Sequence, residues 1–230
     1  MKLKKQHKSV LVQSLSGMTL SIITVIGISP LVLAVPAKVS LHSPEQYAQR
    51  QPQKLAQAPG TGSSEGSSER SQMMQQANAS FNQGDLTGAE ENLRKLIKKF
   101  PDDAFGRFQL GNVLFRQKKS EEAISSYREA IRIRPKYALA YNAIGIVYAS
   151  ESRWEEAITE YKKALEINPN YGEGLTNFAL ALWQTNKKDE ALSSLQKALN
   201  IFKAQNRGEK VNQVERILRE IKAGDQPNVS

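Results

Sequence analysis

Few side chains of this sequence are suited to acid–base chemistry, nucleophilic catalysis or metal binding. Its 230 residues include no cysteine and only two histidines, His7 and His42, so disulfides, thiolate metal sites and thiol catalysis are excluded. Both histidines precede the part of the chain with periodic apolar residues, which therefore has no imidazole to move a proton or hold a metal. Adjacent acids such as Glu121 and Glu122 point in different directions on a helix and do not form a catalytic pair. No glycine-rich phosphate loop or nucleophile with a base is present, and we expect neither enzyme activity nor a cofactor or metal.

The positive charge of the chain is spread unevenly. The formal net charge is +9, of which residues 1–37 carry +4, residues 38–70 carry +1 and residues 71–230 carry +4. In the last of these segments lysine pairs alternate with pairs of acidic residues. A long segment with mixed signs and a small net charge is a weak match to a nucleic-acid surface. We therefore expect no nucleic-acid partner.

The amino-terminal residues resemble an export signal. Four lysines within the first eight residues are followed by an uncharged run of 29 residues, Ser9–Ala37, whose most apolar part is Ile22–Ala34. A basic start, an apolar middle and small residues at the end are typical of a secretory signal. The run also exceeds the roughly 20 residues that cross a bilayer, so residues 1–37 are either a cleaved signal or an uncleaved membrane anchor. In both cases the rest of the chain is expected outside the cytoplasm, in the periplasm, in a lumen or secreted.

Residues 38–70 have the composition of a linker. They contain Pro44, Pro52 and Pro59 and then a run of glycine and serine, with almost no apolar residues to bury. Such a composition predicts a disordered tether.

The remainder of the chain repeats with a period of 34 residues. Four alanines, Ala89, Ala123, Ala157 and Ala191, follow this step without exception. Three further columns keep the same period, namely Pro101, Pro135 and Pro169; Leu93, Tyr127, Tyr161 and Leu195; and Ala77, Gly111, Gly145 and Ala179. A fixed period of this length predicts a stacked-repeat architecture, here with units 70–103, 104–137, 138–171 and 172–205.

The spacing within each unit predicts two helices. Positions 4, 7, 8 and 11 of a unit recur at three and four residues and share one helical face, and positions 20, 24 and 27 do so on a second helix. Small residues at positions 8, 20 and 27 allow the two helices to approach closely, and proline at position 32 ends the second helix. Ser120 followed by Glu121 and Glu122 predicts a helix start with a capping hydroxyl. The fourth unit has Lys203 in place of that proline, so its second helix is predicted to continue to about Ala204, before a capping helix within residues 206–224 and a tail, 225–230.

This pattern resembles the tetratricopeptide repeat. In the third unit, the residues Tyr141, Ile144, Gly145, Tyr148, Ala157, Tyr161, Ala164 and Pro169 match every signature position of that family. The second unit departs from the signature only at Arg107, and the first is the weakest match. The resemblance implies an all-α solenoid of four helix–turn–helix units.

The resemblance also implies where a partner would bind. In this family the first helix of each unit lines a concave groove through positions 2, 5, 9, 12 and 13, with position 6 near its edge. Aromatic residues in such a surface suit a peptide hot spot, and asparagine amides are able to hydrogen-bond a peptide backbone. Alternatively, Phe108 and Phe115 only fill gaps between units or contact the incoming linker. The residues so implied are Asn78, Phe105, Phe108, Asn112, Phe115, Arg116, Leu139, Asn142, Ile146, Asn177 and Trp183.

The functional expectation is therefore an exported scaffold that binds a peptide or helix of an envelope or membrane protein. Two alternatives are a non-catalytic regulatory or assembly subunit of a membrane enzyme or transporter, and a structural solenoid that associates with itself. The partner in the first two cases is another polypeptide, with residues 9–37 as a possible membrane tether, and in the third it is a second copy of the chain.

Overall fold

The computed structural model of the protein describes residues 64–224, and within that range all regular secondary structure is helical. This confirms the all-α solenoid expected from the repeats. The helices are α1 Ser64–Asn82, α2 Leu86–Lys99, α3 Ala104–Arg116, α4 Ser120–Ile133, α5 Ala138–Ser150, α6 Trp154–Ile167, α7 Gly172–Gln184, α8 Lys188–Ala204 and α9 Gly208–Gly224. The predicted signal or anchor, most of the predicted linker and the tail lie outside the described residues. None of the helices in residues 64–224 is both long enough and apolar enough to cross a membrane.

Helices α1 to α8 form four consecutive pairs, each of which makes up one helix–turn–helix unit. In each unit we call the first helix the A helix and the second the B helix. Each A helix packs most extensively on its own B helix, and the B helices of units one to three also pack on the A helix of the next unit. Helices α3, α5 and α7 begin at the predicted first residues of units two, three and four, whereas α1 begins at Ser64, before the predicted unit start at Arg70. The last residues of the predicted linker are therefore helical.

A large and a small residue meet where the two helices of a unit touch. A Cβ atom added to Gly111 would lie 2.4 Å from Cε1 of Tyr127, and one added to Gly145 would lie 2.5 Å from Cε1 of Tyr161. Units one and four instead combine alanine at position 8 with leucine at position 24, and these residues are also buried. The spacing between helices is thus kept either by glycine with tyrosine or by alanine with leucine.

Each turn from an A helix to a B helix passes through one left-handed residue. Position 15 holds Gly84, Lys118, Ser152 and Asn186, with φ between 60° and 83°. The N–H of the residue after each of them donates to the carbonyl five residues earlier, for example Lys119 to Leu114 at 2.9 Å. This is the hydrogen-bond pattern of a Schellman motif, which ends a helix and satisfies its last carbonyls.

Helix α4 begins at Ser120 as predicted, with Glu121 and Glu122 in its first turn, but its cap differs from the sequence prediction. Lys119 is the N-cap of α4 and makes no side-chain cap bond, so the prediction of Ser120 as a capping hydroxyl is wrong. The Schellman hydrogen bond of Lys119 places that residue at the cap, which moves Ser120 into the first turn together with Glu121 and Glu122. The side chain of Asp103 caps α3 instead, accepting hydrogen bonds from the N–H groups of Phe105 and Gly106 at 3.0 Å.

Helix α9 closes the carboxy-terminal end of the described repeats. Helix α8 extends to Ala204 as predicted, and Asn206, with φ 54°, makes the break before α9. The apolar residues Val214, Ile217 and Ile221 of α9 are buried, and α9 packs on α8. The predicted capping helix is confirmed, because α9 covers the apolar side of the last unit.

Candidate protein-interaction face

The predicted binding residues occupy one face of the A helices. At 100° of rotation per residue, positions 2, 5, 6, 9, 12 and 13 fall within about a third of the helix circumference. The signature positions 4 and 7 point to nearly the opposite side. We call the surface formed by the first set in α1, α3, α5 and α7 the A-helix face.

The residues of the A-helix face differ in their accessibility. Seven of the eleven predicted residues are buried, three are half-buried and Arg116 is exposed. The half-buried residues are Asn78, Phe115 and Leu139, and the buried ones are Phe105, Phe108, Asn112, Asn142, Ile146, Asn177 and Trp183. In this conformation Asn78, Phe115, Leu139 and Arg116 are the ones available to a partner.

Polar side chains link the first two units across this face. Gln109 Nε2 donates to Asn78 Oδ1 at 3.3 Å, and Asn112 Nδ2 donates to Gln109 Oε1 at 2.8 Å. The hydroxyl of Tyr127, on the B helix, donates to Asn112 Oδ1 at 2.9 Å. Asn112 is therefore already satisfied within the protein, and its amide stabilises the contact between helices. Gln109 stands at position 6, near the edge of the predicted groove, and Tyr127 at position 24; neither was among the predicted binding residues, although the 34-residue period defines both positions.

The corresponding contact between the third and fourth units is incomplete. Asn177 Nδ2 donates to Asn142 Oδ1 at 3.2 Å. Position 9 of the third unit is Ile146, so the hydroxyl of Tyr161 does not find the acceptor that Asn112 gives Tyr127. Within the described part of the chain, the Tyr161 hydroxyl and Asn177 Oδ1 are buried without a hydrogen-bond partner. Burial raises the pKa of the Tyr161 hydroxyl above its usual range, so it remains a neutral donor.

Two aromatic residues of the face, Phe108 and Phe81, pack against other rings or a cation. The ring centroid of Phe108 lies 5.6 Å from that of Tyr127 and 5.3 Å from that of Tyr137. This ring packing agrees with the alternative that Phe108 fills the gap between units two and three. The guanidinium carbon of Arg116 lies 4.8 Å from the ring centroid of Phe81, which gives units one and two a cation–π contact.

Ion pairs join the two ends of the described repeats to their neighbours. Arg70 binds Asp103 through two hydrogen bonds, Nε to Oδ2 and Nη2 to Oδ1, each of 2.7 Å. Arg207, just before α9, pairs with Glu173 at position 2 of α7. In both ion pairs the two partners stand about one repeat apart in the sequence, which is a separation that the period could have suggested. Many other opposite charges in this chain have the same separation, so the sequence alone does not identify these two pairs.

Among residues 64–224, no three histidine, aspartate or glutamate side chains are grouped so as to hold a metal ion. The absence of catalysis remains a prediction.

Paired helices repeated every 34 residues, with A helices that share one face, define a helical-repeat scaffold of the solenoid class. Tetratricopeptide-repeat profiles match residues 73–103 and 136–204, and a further profile, described as TPR repeat, matches residues 111–152. The chain belongs to the tetratricopeptide-repeat family, whose repeats form protein-interaction scaffolds.

Solved structures with the same fold include several of MamA. One crystal structure of MamA is 25% identical to the chain with a TM-score of 0.55, covering 60% of this chain and 81% of that one. Another, of MamA from residue 41 onward from Desulfovibrio magneticus RS-1, is 20% identical with a TM-score of 0.53, covering 59% and 77%. The TPR2B domain of yeast Sti1, in a complex with pHsp70, is 22% identical with a TM-score of 0.50, covering 52% and 96%. The similarities to the Desulfovibrio protein and to the Sti1 domain show the fold alone. No curated protein matches the chain.

Proposed function

We propose that the chain is an exported scaffold whose A-helix face binds an extended or helical segment of an envelope or membrane protein. The observation that carries this proposal is the set of accessible side chains on that face. Phe115 and Leu139 offer apolar area, Asn78 offers an amide and Arg116 a cation, and all four are at least partly exposed. Rings and arginines are the side chains that contribute most to protein-binding hot spots.

The structure of the Sti1 domain supports the idea at the level of the fold. That domain was solved in a complex with pHsp70, so the same arrangement of helices accommodates a partner there.

Export is proposed from the basic and apolar residues that begin the sequence. If residues 1–37 are a cleaved signal, the mature protein begins near Lys38, and if they are an anchor, the intact chain stays with the membrane in carbonate. A reporter enzyme that is active only outside the cytoplasm, fused after Gly224, is expected to be active in either case. An inactive fusion would contradict export without affecting the role of the A-helix face.

The A-helix face is tested by capture of partners from an envelope extract. The full-length chain with both Phe115→Ala and Leu139→Ala is expected to lose the proteins that the wild-type chain retains. Phe178→Ala is the matched control, because Phe178 is also half-buried but stands at position 7, away from the face. Equal capture by all three proteins, with equal helical circular dichroism, would contradict the proposal.

A further inference from the structure

A cleft of about 370 Å³ lies on the side of α3 opposite the A-helix face. Its lining comes from α2, α3 and α4, and its apolar wall is formed by Ile97 and Leu110. Arg107 and Leu110, the two residues that α3 contributes, stand at positions 4 and 7 of unit two. The cleft is therefore a separate surface between neighbouring B helices.

Beside the cleft, position 4 of unit two carries a charged residue where unit three has an aromatic one. In unit three that position is Tyr141, and Lys163 at position 26 lies 5.8 Å from the centroid of its ring. In unit two position 4 is Arg107, and Glu129, at position 26, lines the cleft. The Arg107 side chain turns back instead to donate to the carbonyl of Pro101, from Nη2 at 2.9 Å and from Nε at 3.2 Å. The space beside Leu110 is thus left without the ring that unit three places there.

The charged groups around the cleft leave an excess of positive charge. Arg94 is neutralised by Glu90 and Glu122, and Glu129 is paired with a neighbouring arginine. Lys98 and Arg107 also line the cleft, and within the described residues neither has an acidic partner. The hydroxyls of Ser125 and Ser126 complete the polar side of the lining.

We propose that this cleft binds an aromatic side chain of a protein partner together with an acidic residue next to it. The ring occupies the space that position 4 leaves open in unit two, against Ile97 and Leu110. The carboxylate lies near Lys98 and Arg107, whose charges are otherwise uncompensated. The site is independent of the A-helix face and gives the scaffold a second binding surface.

The charges of the cleft favour a short acidic peptide over a nucleic acid. Glu90, Glu122 and Glu129 stand among or beside the lining residues and would repel a run of phosphates. One carboxylate placed between Lys98 and Arg107 avoids that repulsion and gains two charge-assisted contacts.

The test uses the full-length chain with ¹³C-labelled isoleucine and leucine methyl groups. The probes are the blocked tripeptide glutamyl-tyrosyl-glutamate, its glutamyl-alanyl-glutamate analogue, its glutaminyl-tyrosyl-glutamine analogue and a single-stranded oligothymidylate. Because a bound ring shifts nearby methyl signals, we expect the first probe to move the methyl resonances of Ile97 and Leu110. The alanine analogue and the oligonucleotide should not move them, and the uncharged analogue should bind more weakly.

Three variants assign the site. Lys98→Glu, at an exposed position, is expected to weaken the binding of glutamyl-tyrosyl-glutamate about threefold or more. A loss of this size is typical of a surface charge pair. Arg107→Tyr, which copies unit three, should fill the cleft and abolish the methyl shifts. Lys162→Glu is the matched control, since Lys162 is also exposed and lies on the B helix of unit three.

Several results would overturn the assignment. These are equal shifts from the alanine analogue or the oligonucleotide, unchanged binding by Lys98→Glu, or shifts confined to Ile146 and Leu180 near the A-helix face. The last result would leave the proposed function intact while removing the second site.

Discussion

The hydroxyls of Tyr127 and Tyr161 stand at the same repeat position but differ in their partners. Tyr127 donates to Asn112, whereas position 9 of the next unit is Ile146, and the Tyr161 hydroxyl remains unpaired within the described residues. A buried hydrogen bond contributes modestly to stability, but a buried group without a partner carries its full desolvation cost. Two residues with identical packing roles should therefore respond differently to loss of the same oxygen.

Tyr127→Phe is expected to lower the free energy of unfolding by about 1–2 kcal/mol, because it leaves Asn112 Oδ1 unpaired. Tyr161→Phe should change it by less than about 0.5 kcal/mol, or raise it, because it removes an unsatisfied group. Urea denaturation of the two variants in parallel measures the difference. Equal losses would show that the hydrogen bond to Asn112 is not what distinguishes the two sites.

At the scale of elements, each unit depends on the size match between positions 8 and 24. Gly145 with Tyr161 and Ala77 with Leu93 are two solutions to the same contact. Because these residues are tightly packed, changing the size of only one residue of a pair is expected to lower stability.

Gly145→Ala is expected to destabilise the protein by about 1–3 kcal/mol, because its Cβ would overlap the Tyr161 ring. Combining it with Tyr161→Leu should recover part of this loss, since the pair then matches unit one. A double-mutant cycle from thermal or urea unfolding gives the coupling energy, expected at about 1 kcal/mol or more. Purely additive effects would contradict the size match.

The turns between A and B helices are a second feature at this scale. Lys118 and Ser152 occupy the left-handed region, at φ 63° and 60°. That region costs a residue with a Cβ roughly 1–2 kcal/mol, whereas glycine enters it freely.

Lys118→Gly and Ser152→Gly are therefore each expected to raise the free energy of unfolding by up to about 1 kcal/mol. Lys119→Gly serves as the control, because Lys119 has φ −93° and gains nothing from glycine. If the first two variants are no more stable than the control, the turn geometry is not the limiting feature.

The sequence predicted the helices well because the repeat period averages over four copies. The pairing of helices followed from columns of alanine, glycine, tyrosine and proline, and the capping helix followed from Lys203 in place of proline and from the apolar residues after residue 206. What did not follow were features that differ between copies, such as the Asn78–Gln109–Asn112 hydrogen bonds and the Asp103 cap. The predicted capping role of Ser120 was wrong for a similar reason. The turn before α4 places Lys119 at the N-cap, and the sequence near Ser120 does not reveal this.

At the scale of the whole molecule, a stacked array needs its last apolar side covered. Ile217 of α9 is 2% exposed, while its neighbour Arg216 is exposed. Without α9, the apolar surface of α8 would be open to water or to a second copy of the chain.

Ile217→Asp is expected to detach α9, since burying an unpaired carboxylate costs several kcal/mol. Hydrogen exchange should then show lost protection in α9 and in the end of α8, and the protein should associate as its concentration rises. Arg216→Asp is the control and should leave exchange unchanged. Normal protection of α9 in Ile217→Asp would contradict its role as a cap.

Site-specific photocrosslinking distinguishes partner binding at the A-helix face from binding elsewhere on the A helices. A benzophenone amino acid replaces Phe115 on that face or Phe178 on the other side of the A helices, in the full-length chain inside its native cell. If partners bind the A-helix face, we expect a covalent adduct to another polypeptide from position 115 and none from position 178. Adducts from position 178 alone, or equally from both positions, would contradict it.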